Sequence, residues 1–412
     1  MGLYRYAPVP SGRMGVLWTV AAVQGTAVLE FGSMGHMLYA DRWLWQSAPD
    51  QKSRIYTTHL DEKDIALGIT KRFSLAVKEI IEKDKPEVIF VLPSAVPEIT
   101  GMDMESLCEE EEAVTGIRIV MLKKGSFHEK LHHGIEEGLY RLVKELAVGR
   151  SPDKTVDKSV NKTGRITCNL IGSCIDTAKF QADVYELQRI LKAALGMEVL
   201  CVLSSETSVR QIKNMGGAHI NLVLRREGIK AADTLKAAFQ TDYVYGRPYG
   251  YQGTVSWLEE IAKKLELTLN REFLDREIEE GSHTFDYCRR LAAMLPGKAL
   301  ISAGGNYDVV KGILEFAEKE AGLKKKYVWC EVKEYGDPFI PYQTEEDRIK
   351  NITKDLTGIL MADQAAYQMA GRKSGPAINR SLNNRNFNKY EAPYVGFRGA
   401  MNLCSLWLEE LL

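Results

Sequence analysis

The stretches Glu30-Phe31-Gly32-Ser33-Met34-Gly35-His36 and Leu92-Pro93-Ser94-Ala95-Val96-Pro97-Glu98-Ile99-Thr100-Gly101-Met102-Asp103 decide how this chain folds. Each ends an apolar run of strand character with a loop of small, turn-forming residues. The second belongs to a unit: residues 87–92 are apolar, 93–102 form a loop, and 103–114 turn polar and helix-favouring. The same grammar returns twice. Residues 166–171 run into Gly172-Ser173-Cys174 and then into 180–195, whose apolar side chains recur near helical spacing. Residues 298–303 run into Gly304-Gly305-Asn306 and then into 309–321. A buried parallel strand, a turn of small residues and an amphipathic helix make the repeating unit of doubly wound α/β folds.

Further strands are predicted at 117–122, 198–203, 220–224 and 327–332. The segment 150–163, rich in Lys, Asp and Ser, reads as a linker, and Leu295-Pro296-Gly297 marks a second boundary. At 412 residues the chain exceeds what one hydrophobic core supports. The expectation is therefore an α/β protein of three Rossmann-like domains with parallel sheets: an N-terminal domain over 1–150, a middle domain over 164–295 and a C-terminal domain over 296–412. Gly172 and the Gly304-Gly305 pair lack the third glycine of GxGxxG, which argues against a dinucleotide site.

With 45% hydrophobic and 26% charged residues the composition is that of a globular protein. A formal net charge of −1 supplies no general attraction to nucleic acid or anionic lipid. No apolar run is long enough to span a bilayer. Met1-Gly2-Leu3-Tyr4-Arg5-Tyr6 has neither a signal-peptide core nor a myristoylation pattern. The seven cysteines (108, 168, 174, 201, 288, 330 and 404) are dispersed without a CxxC pair, which predicts reduced thiols and a cytoplasmic location.

Several blocks, in order, resemble the nitrogenase component 1 oxidoreductase family over nearly the whole chain. They are Gly15-Val16-Leu17-Trp18, Phe31–His36, Pro97–Asp103, Leu131-His132-His133-Gly134, Asn169-Leu170-Ile171-Gly172 and Asn221-Leu222-Val223-Leu224. The turn Pro248–Thr254 and the block Pro393-Tyr394-Val395-Gly396-Phe397-Arg398-Gly399-Ala400 complete the series. No block decides alone; their shared order does. The resemblance implies three Rossmann-like domains around a central cleft, a partner chain of the same fold, and an ATP-dependent iron–sulfur reductase that docks transiently. It also places the family's three cluster cysteines near Pro8, on Met34 and on Ala95. The cysteine that anchors the catalytic cofactor falls on Arg225, and its histidine partner falls near Ser381. Thiolates hold iron–sulfur clusters, so the chain resembles a divergent member lacking the cluster-ligating cysteines.

Four candidate residues follow. Met34 is a cofactor-binding candidate and His36 a catalytic one, as ligand or proton donor in an interface pocket; alternatively both pack within their loop. Cys174 follows a predicted parallel strand, where α/β folds place ligands, and is the second catalytic candidate if its thiol pKa is lowered. Cys168, Cys201 and Cys330 read as small core hydrophobes. Arg225, with Arg226 beside it, suits a carboxylate or phosphate and is the second cofactor-binding candidate; a salt bridge at a domain boundary is the alternative. Arg247-Pro248-Tyr249-Gly250-Tyr251 reads either as a cavity wall or as a loop packed on its neighbour. His128-Glu129-Lys130-Leu131-His132 fits HExxH, but Gly125-Ser126 sets a turn just upstream and no third zinc ligand follows.

The first functional expectation is a subunit of a nitrogenase-like oxidoreductase complex, with an iron–sulfur cluster or tetrapyrrole shared with a partner chain. The alternatives are a cofactor-assembly scaffold and a metal-free ligand-binding or regulatory protein on the same fold.

Overall fold

The structure, a computed structural model, describes residues 10–32, 54–60, 63–64, 69–94, 101–122, 130–149, 165–354, 356–379 and 391–412. Its strands form three separate parallel sheets. In the first, β1 (Thr26–Phe31), β2 (Ile55–Thr57), β3 (Val88–Pro93) and β4 (Arg118–Met121) lie in the order β2-β1-β3-β4. The second combines β5 (Thr167–Ser173), β6 (Glu198–Ser204), β7 (Ile220–Val223) and β8 (Tyr243–Tyr245) in the order β6-β5-β7-β8. In the third, β9 (Leu300–Gly305) lies between β10 (Lys324–Cys330) and β11 (Ile359–Met361). Among the described residues, every pairing between these strands is parallel. The α/β class and the three parallel sheets are as the sequence predicts.

The helices that place the site are α1 (Gly12–Val20), α2 (Ile69–Asp84), α3 (Met104–Thr115) and α4 (Leu131–Leu142), then α5 (Phe180–Leu195), α6 (Val209–Lys213) and α7 (Ile229–Phe239). After them come α8 (Tyr251–Leu265), α9 (Arg271–Met294), α10 (Tyr307–Lys319), α11 (Glu345–Lys354), α12 (Gln364–Met369) and α13 (Gly396–Leu411). Central strands β1, β3 and β5 are buried along almost their whole length, which explains why they read as mainly apolar runs.

Two shared cores tie the sheets together. One joins α1, β3 and α4 to the second sheet through Ile171, Leu203 and Val223. The other joins the opposite face of the second sheet, through Leu170 and Leu222, to Ile301, Ile359 and the helices α8, α10 and α13. The middle sheet is thus packed on both sides, and burial of this apolar area contributes roughly 25 cal/mol per Å². The cluster around Phe73 and Leu107 covers the outer face of the first sheet, and that around Trp329 and Tyr367 the outer face of the third.

Close backbone approach replaces side-chain interdigitation where α1 meets α4. A Cβ on Gly134 would sit 1.8 Å from the Gly12 carbonyl oxygen, and one on Gly15 would sit 2.3 Å from that of Leu131. Only hydrogen fits at these positions. Within the middle sheet, Asn169 and Asn221 are register partners, and the Asn169 amide donates to the Asn221 side chain at 2.8 Å. The two blocks that share an Asn-Leu opening therefore stand side by side on β5 and β7. The last helix, α13, returns over α9, α8 and α5, pinned where the Asp183 carboxylate accepts from the Tyr394 backbone N–H at 2.7 Å.

Candidate functional site

The carboxyl ends of the second and third sheets face each other, and the amino end of α4 closes the junction. From the middle sheet come the turn after β5 (174–178), the turn after β7 (224–228) and Tyr245 at the end of β8. From the third sheet come Asn306-Tyr307-Asp308 after β9 and Glu331–Asp337 after β10. Direct contacts join the two sides. The Ala178 N–H donates to the Ile378 carbonyl at 2.9 Å, the Arg226 N–H donates to Asp308 at 2.9 Å, and Lys179 pairs with Glu391 at 2.7 Å. From α4, Lys130 reaches Glu334 at 2.9 Å, and the His132 ring lies 5.2 Å from that of Tyr335. Strand carboxyl ends are where α/β folds bind ligands.

Arg225 forms the base of the junction. Its Nη1 donates to both oxygens of Asp176, at 2.7 and 3.0 Å, and its Nε donates to Glu227 at 2.8 Å. The Arg225 and Glu227 side chains are 2% and 1% exposed. Burial alone would lower the arginine pKa, but Asp176 and Glu227 reverse this and hold it well above the ordinary value. Gly172 makes room for the arrangement: its φ is +99°, and a Cβ there would lie 2.6 Å from Arg225 Cγ.

Cys174 lies one residue past β5 and is 1% exposed, with Sγ 3.8 Å from the Ser204 hydroxyl. Burial pushes its thiol up to about 12, with Asp176 and Glu227 adding to the rise and Arg225 opposing it. It is therefore a protonated thiol at neutral pH in this arrangement. The structure brings Cys174 and Arg225 together; Met34, His36, Ala95, Pro8 and Ser381 lie outside the described residues.

The HExxH stretch is divided. His128 and Glu129 lie outside the described residues, and α4 begins at Leu131 with Lys130 as its cap. His132 is buried, its Nε2 has no hydrogen-bond partner, and Glu334 is 3.8 Å away. Burial, with His133 beside it, lowers its pKa to about 4, so the imidazole is neutral at pH 7. The 247–251 motif packs on a neighbour: Tyr249 meets Gly312 of α10, and Arg247 donates to Asp183 at 2.6 Å.

Sequence reasoning missed Asp176, Glu227 and Asp308, which fix the two arginines, and Tyr245, Tyr307 and Tyr335, which wall the junction. Arg226 lies with its guanidinium carbon 4.0 Å from the Tyr307 ring centre and 5.2 Å from that of Tyr335. Glu331 was missed too. It sits at the end of β10, held by Arg348 at 3.0 Å and Asn379 at 3.1 Å. Burial, reinforced by Asp363, pushes its carboxyl up to about 7. The Glu227 partner alone had a local signal, standing two residues from Arg225.

The model of the nitrogenase component 1 type oxidoreductase family matches residues 11–412. The chain belongs to that family. Among its relatives, a light-independent protochlorophyllide reductase chain of Dinoroseobacter shibae is 25% identical over 88% of the chain and 68% of its own length. The nitrogenase iron-molybdenum cofactor biosynthesis protein NifE of Clostridium pasteurianum is 26% identical over 76% of the chain and 64% of its own length, so the chain matches less than two thirds of that relative. The solved structure of nitrogenase Cp1 at pH 6.5 superposes with a TM-score of 0.77 at 15% identity, covering 100% of this chain and 94% of the other, a likeness of fold. No helix among the described residues is long and apolar enough to cross a membrane.

The family implies a metal cofactor, and the junction tests whether this chain fits one. At the position that the resemblance gives to the cofactor thiolate stands a cation already paired with two carboxylates. All seven cysteines are buried, and burial pushes the thiols of Cys108, Cys168 and Cys201 up to about 12. Among the described residues no three of His, Cys, Asp and Glu gather as a metal would need. The described residues do not fit a thiolate-held cluster at Arg225.

Proposed function

We propose that the chain is a subunit of a nitrogenase-like oxidoreductase complex, built from homologous chains and fed electrons by an ATP-dependent iron–sulfur reductase. A homologous partner chain supplies the ligands of any shared cluster or tetrapyrrole, and the domains are those over 1–150, 164–295 and 296–412. The observation that carries this reading is the Arg225–Asp176–Glu227 triad: the family scaffold is kept, while the position of the cofactor thiolate is filled by a paired cation. Family membership and the likeness to a protochlorophyllide reductase chain support it. In this reading Arg225 and Cys174 are the floor of the inter-sheet cleft, and Met34 and His36 belong to the interface with the partner chain. The reaction class is reductive, on a substrate in the cleft. The complex, purified anaerobically with its reductase, tests this: electrons should pass from reductase to complex only when ATP is hydrolysed, and electron passage without this chain would refute it.

A cofactor-assembly scaffold is the second reading, favoured by the likeness to a cofactor biosynthesis protein. It predicts a cofactor that is released to another protein and never turned over in place.

A further inference from the structure

The last helix, α13, packs along α9, and one cysteine from each meets the other at their contact. Along α9 the buried residues Leu274, Gly281 and Cys288 stand seven apart, and along α13 the buried residues Phe397, Cys404 and Leu411 do the same. That spacing sets each trio on one helix face, as in the seam of a packed helix pair. The Phe273 and Phe397 rings, 6.3 Å apart, join the same two helices. Cys288 and Cys404, both 0% exposed, hydrogen-bond to each other across the seam. A disulfide needs Cβ atoms that point toward one another. Two thiols in hydrogen-bond contact on facing helices meet that need.

The hydrogen bond also makes the two sulfurs unequal. Cys404 donates to Cys288, which lowers the Cys288 thiol below its ordinary value and raises that of Cys404. The other five thiols move upward: burial pushes Cys108, Cys168, Cys174 and Cys201 up to about 12 and Cys330 up to about 11. The thiolate is the form that reacts with oxidants. Cys288 is therefore the first to be oxidised, with a second thiol beside it to resolve the product. Neither sulfur belongs to the site built around Arg225.

We propose that Cys288 and Cys404 form a redox-modification site, which a peroxide converts into a disulfide fastening α13 to α9. The Cys288 sulfur attacks one peroxide oxygen, the O–O bond breaks, and the departing hydroxide takes up a proton as water. The Cys404 sulfur then attacks the Cys288 sulfenic acid, the S–S bond forms, and a second water leaves. In sum, two thiols give two electrons and two protons to one hydrogen peroxide, which becomes two waters. Hydrogen peroxide is little larger than water, which suits a pair shielded by packing. The bond would act beyond the two helices. The entry to α13 is held where Asp183 of α5 accepts from the Tyr394 N–H at 2.7 Å, and the turn before α5 carries Cys174.

The full chain, with any partner that co-purifies, is treated with hydrogen peroxide and quenched with catalase. The thiols that remain are alkylated in denaturant, and peptide mass spectrometry maps all seven cysteines. The expected product is a Cys288–Cys404 linked peptide, lighter by two hydrogen atoms and cleaved by dithiothreitol, with the other five cysteines still alkylated. Cys404→Ser should stop at the sulfenic acid, so that dimedone labels Cys288; Cys288→Ser should leave Cys404 as a thiol. Oxidation should raise Tm by about 3 °C in the native chain, as a cross-link closing a long loop does, and leave that of C288S unchanged. Seven intact thiols after treatment, oxidation of another cysteine ahead of Cys288, or a linked pair with no rise in Tm would overturn the proposal. Should a serine variant fail to fold, the linked peptide and the Tm of the native chain before and after dithiothreitol decide.

Discussion

Arg225 and Asp176 meet side by side, with Nη1 2.7 and 3.0 Å from the two carboxylate oxygens, on a floor that water hardly reaches. Glu227 completes the triad from two residues away. Two carboxylates on one guanidinium leave a net negative charge, and each member is held in place by the others. Arg225→Met should therefore cost about 3–5 kcal/mol, because it leaves two buried carboxylates unpaired. Asp176→Asn should cost less, since Glu227 still neutralises the cation. Urea denaturation with near-ultraviolet circular dichroism measures both; equal, small effects would mean the triad is dispensable.

A glycine of the seam between α1 and α4 and an unencumbered glycine of α8 give a pair of opposite signs. Gly134→Ala forces a methyl into the Gly12 carbonyl and should destabilise by about 3 kcal/mol or more. Gly253→Ala, in α8 with nothing within 4 Å of the new Cβ, should stabilise by up to about 1 kcal/mol. Thermal melts of the two variants check the contrast.

His132 has its pKa lowered to about 4 from an ordinary 6.5. As pH falls below 6.5 the unfolded chain takes up a proton that the native chain refuses. The native state therefore loses stability between 6.5 and 4, by at most about 3 kcal/mol from this group. His132→Gln should flatten that part of the stability profile. Imidazole resonances of the native protein should show His132 neutral at pH 5.5.

Glu331 behaves oppositely. Its carboxyl is pushed up to about 7, so between 4.5 and 7 the native state holds a proton that the unfolded state has lost. Stability from this group is present at low pH and declines as pH rises through that window. A protonated-carboxyl infrared band that persists at pH 6, and is missing from Glu331→Gln, is the expected signature.

Much of this architecture was legible because parallel, doubly covered strands announce themselves as apolar runs. The run at 166–171 became β5, 198–203 became β6, and the helix over 180–195 falls on its predicted residues. Elements that break this pattern were harder. β10 begins at Lys324-Lys325-Lys326, charged residues suited to an edge strand, so the apolar signal started three residues late. α9 hides its buried stripe of Phe273, Leu274, Gly281 and Cys288 among charged residues, and no helix was expected there. The site was less legible than the fold. Arg225 stood out by position, but Asp176 lies 49 residues away and Asp308 is 82 from its partner Arg226. Such pairings exist only once two sheets face each other. Nor does sequence distinguish the occupied arginine from its open neighbour, because only packing separates Arg225 from Arg226.

The central claim is that the scaffold survives here with its thiolate anchor exchanged for a paired cation, and that it works beside a homologous chain. Iron and acid-labile sulfide per chain, determined on anaerobic protein with and without that homologue, test it most directly. Stoichiometric iron only in the joint complex is the predicted result; a full cluster bound to the isolated chain would contradict the account.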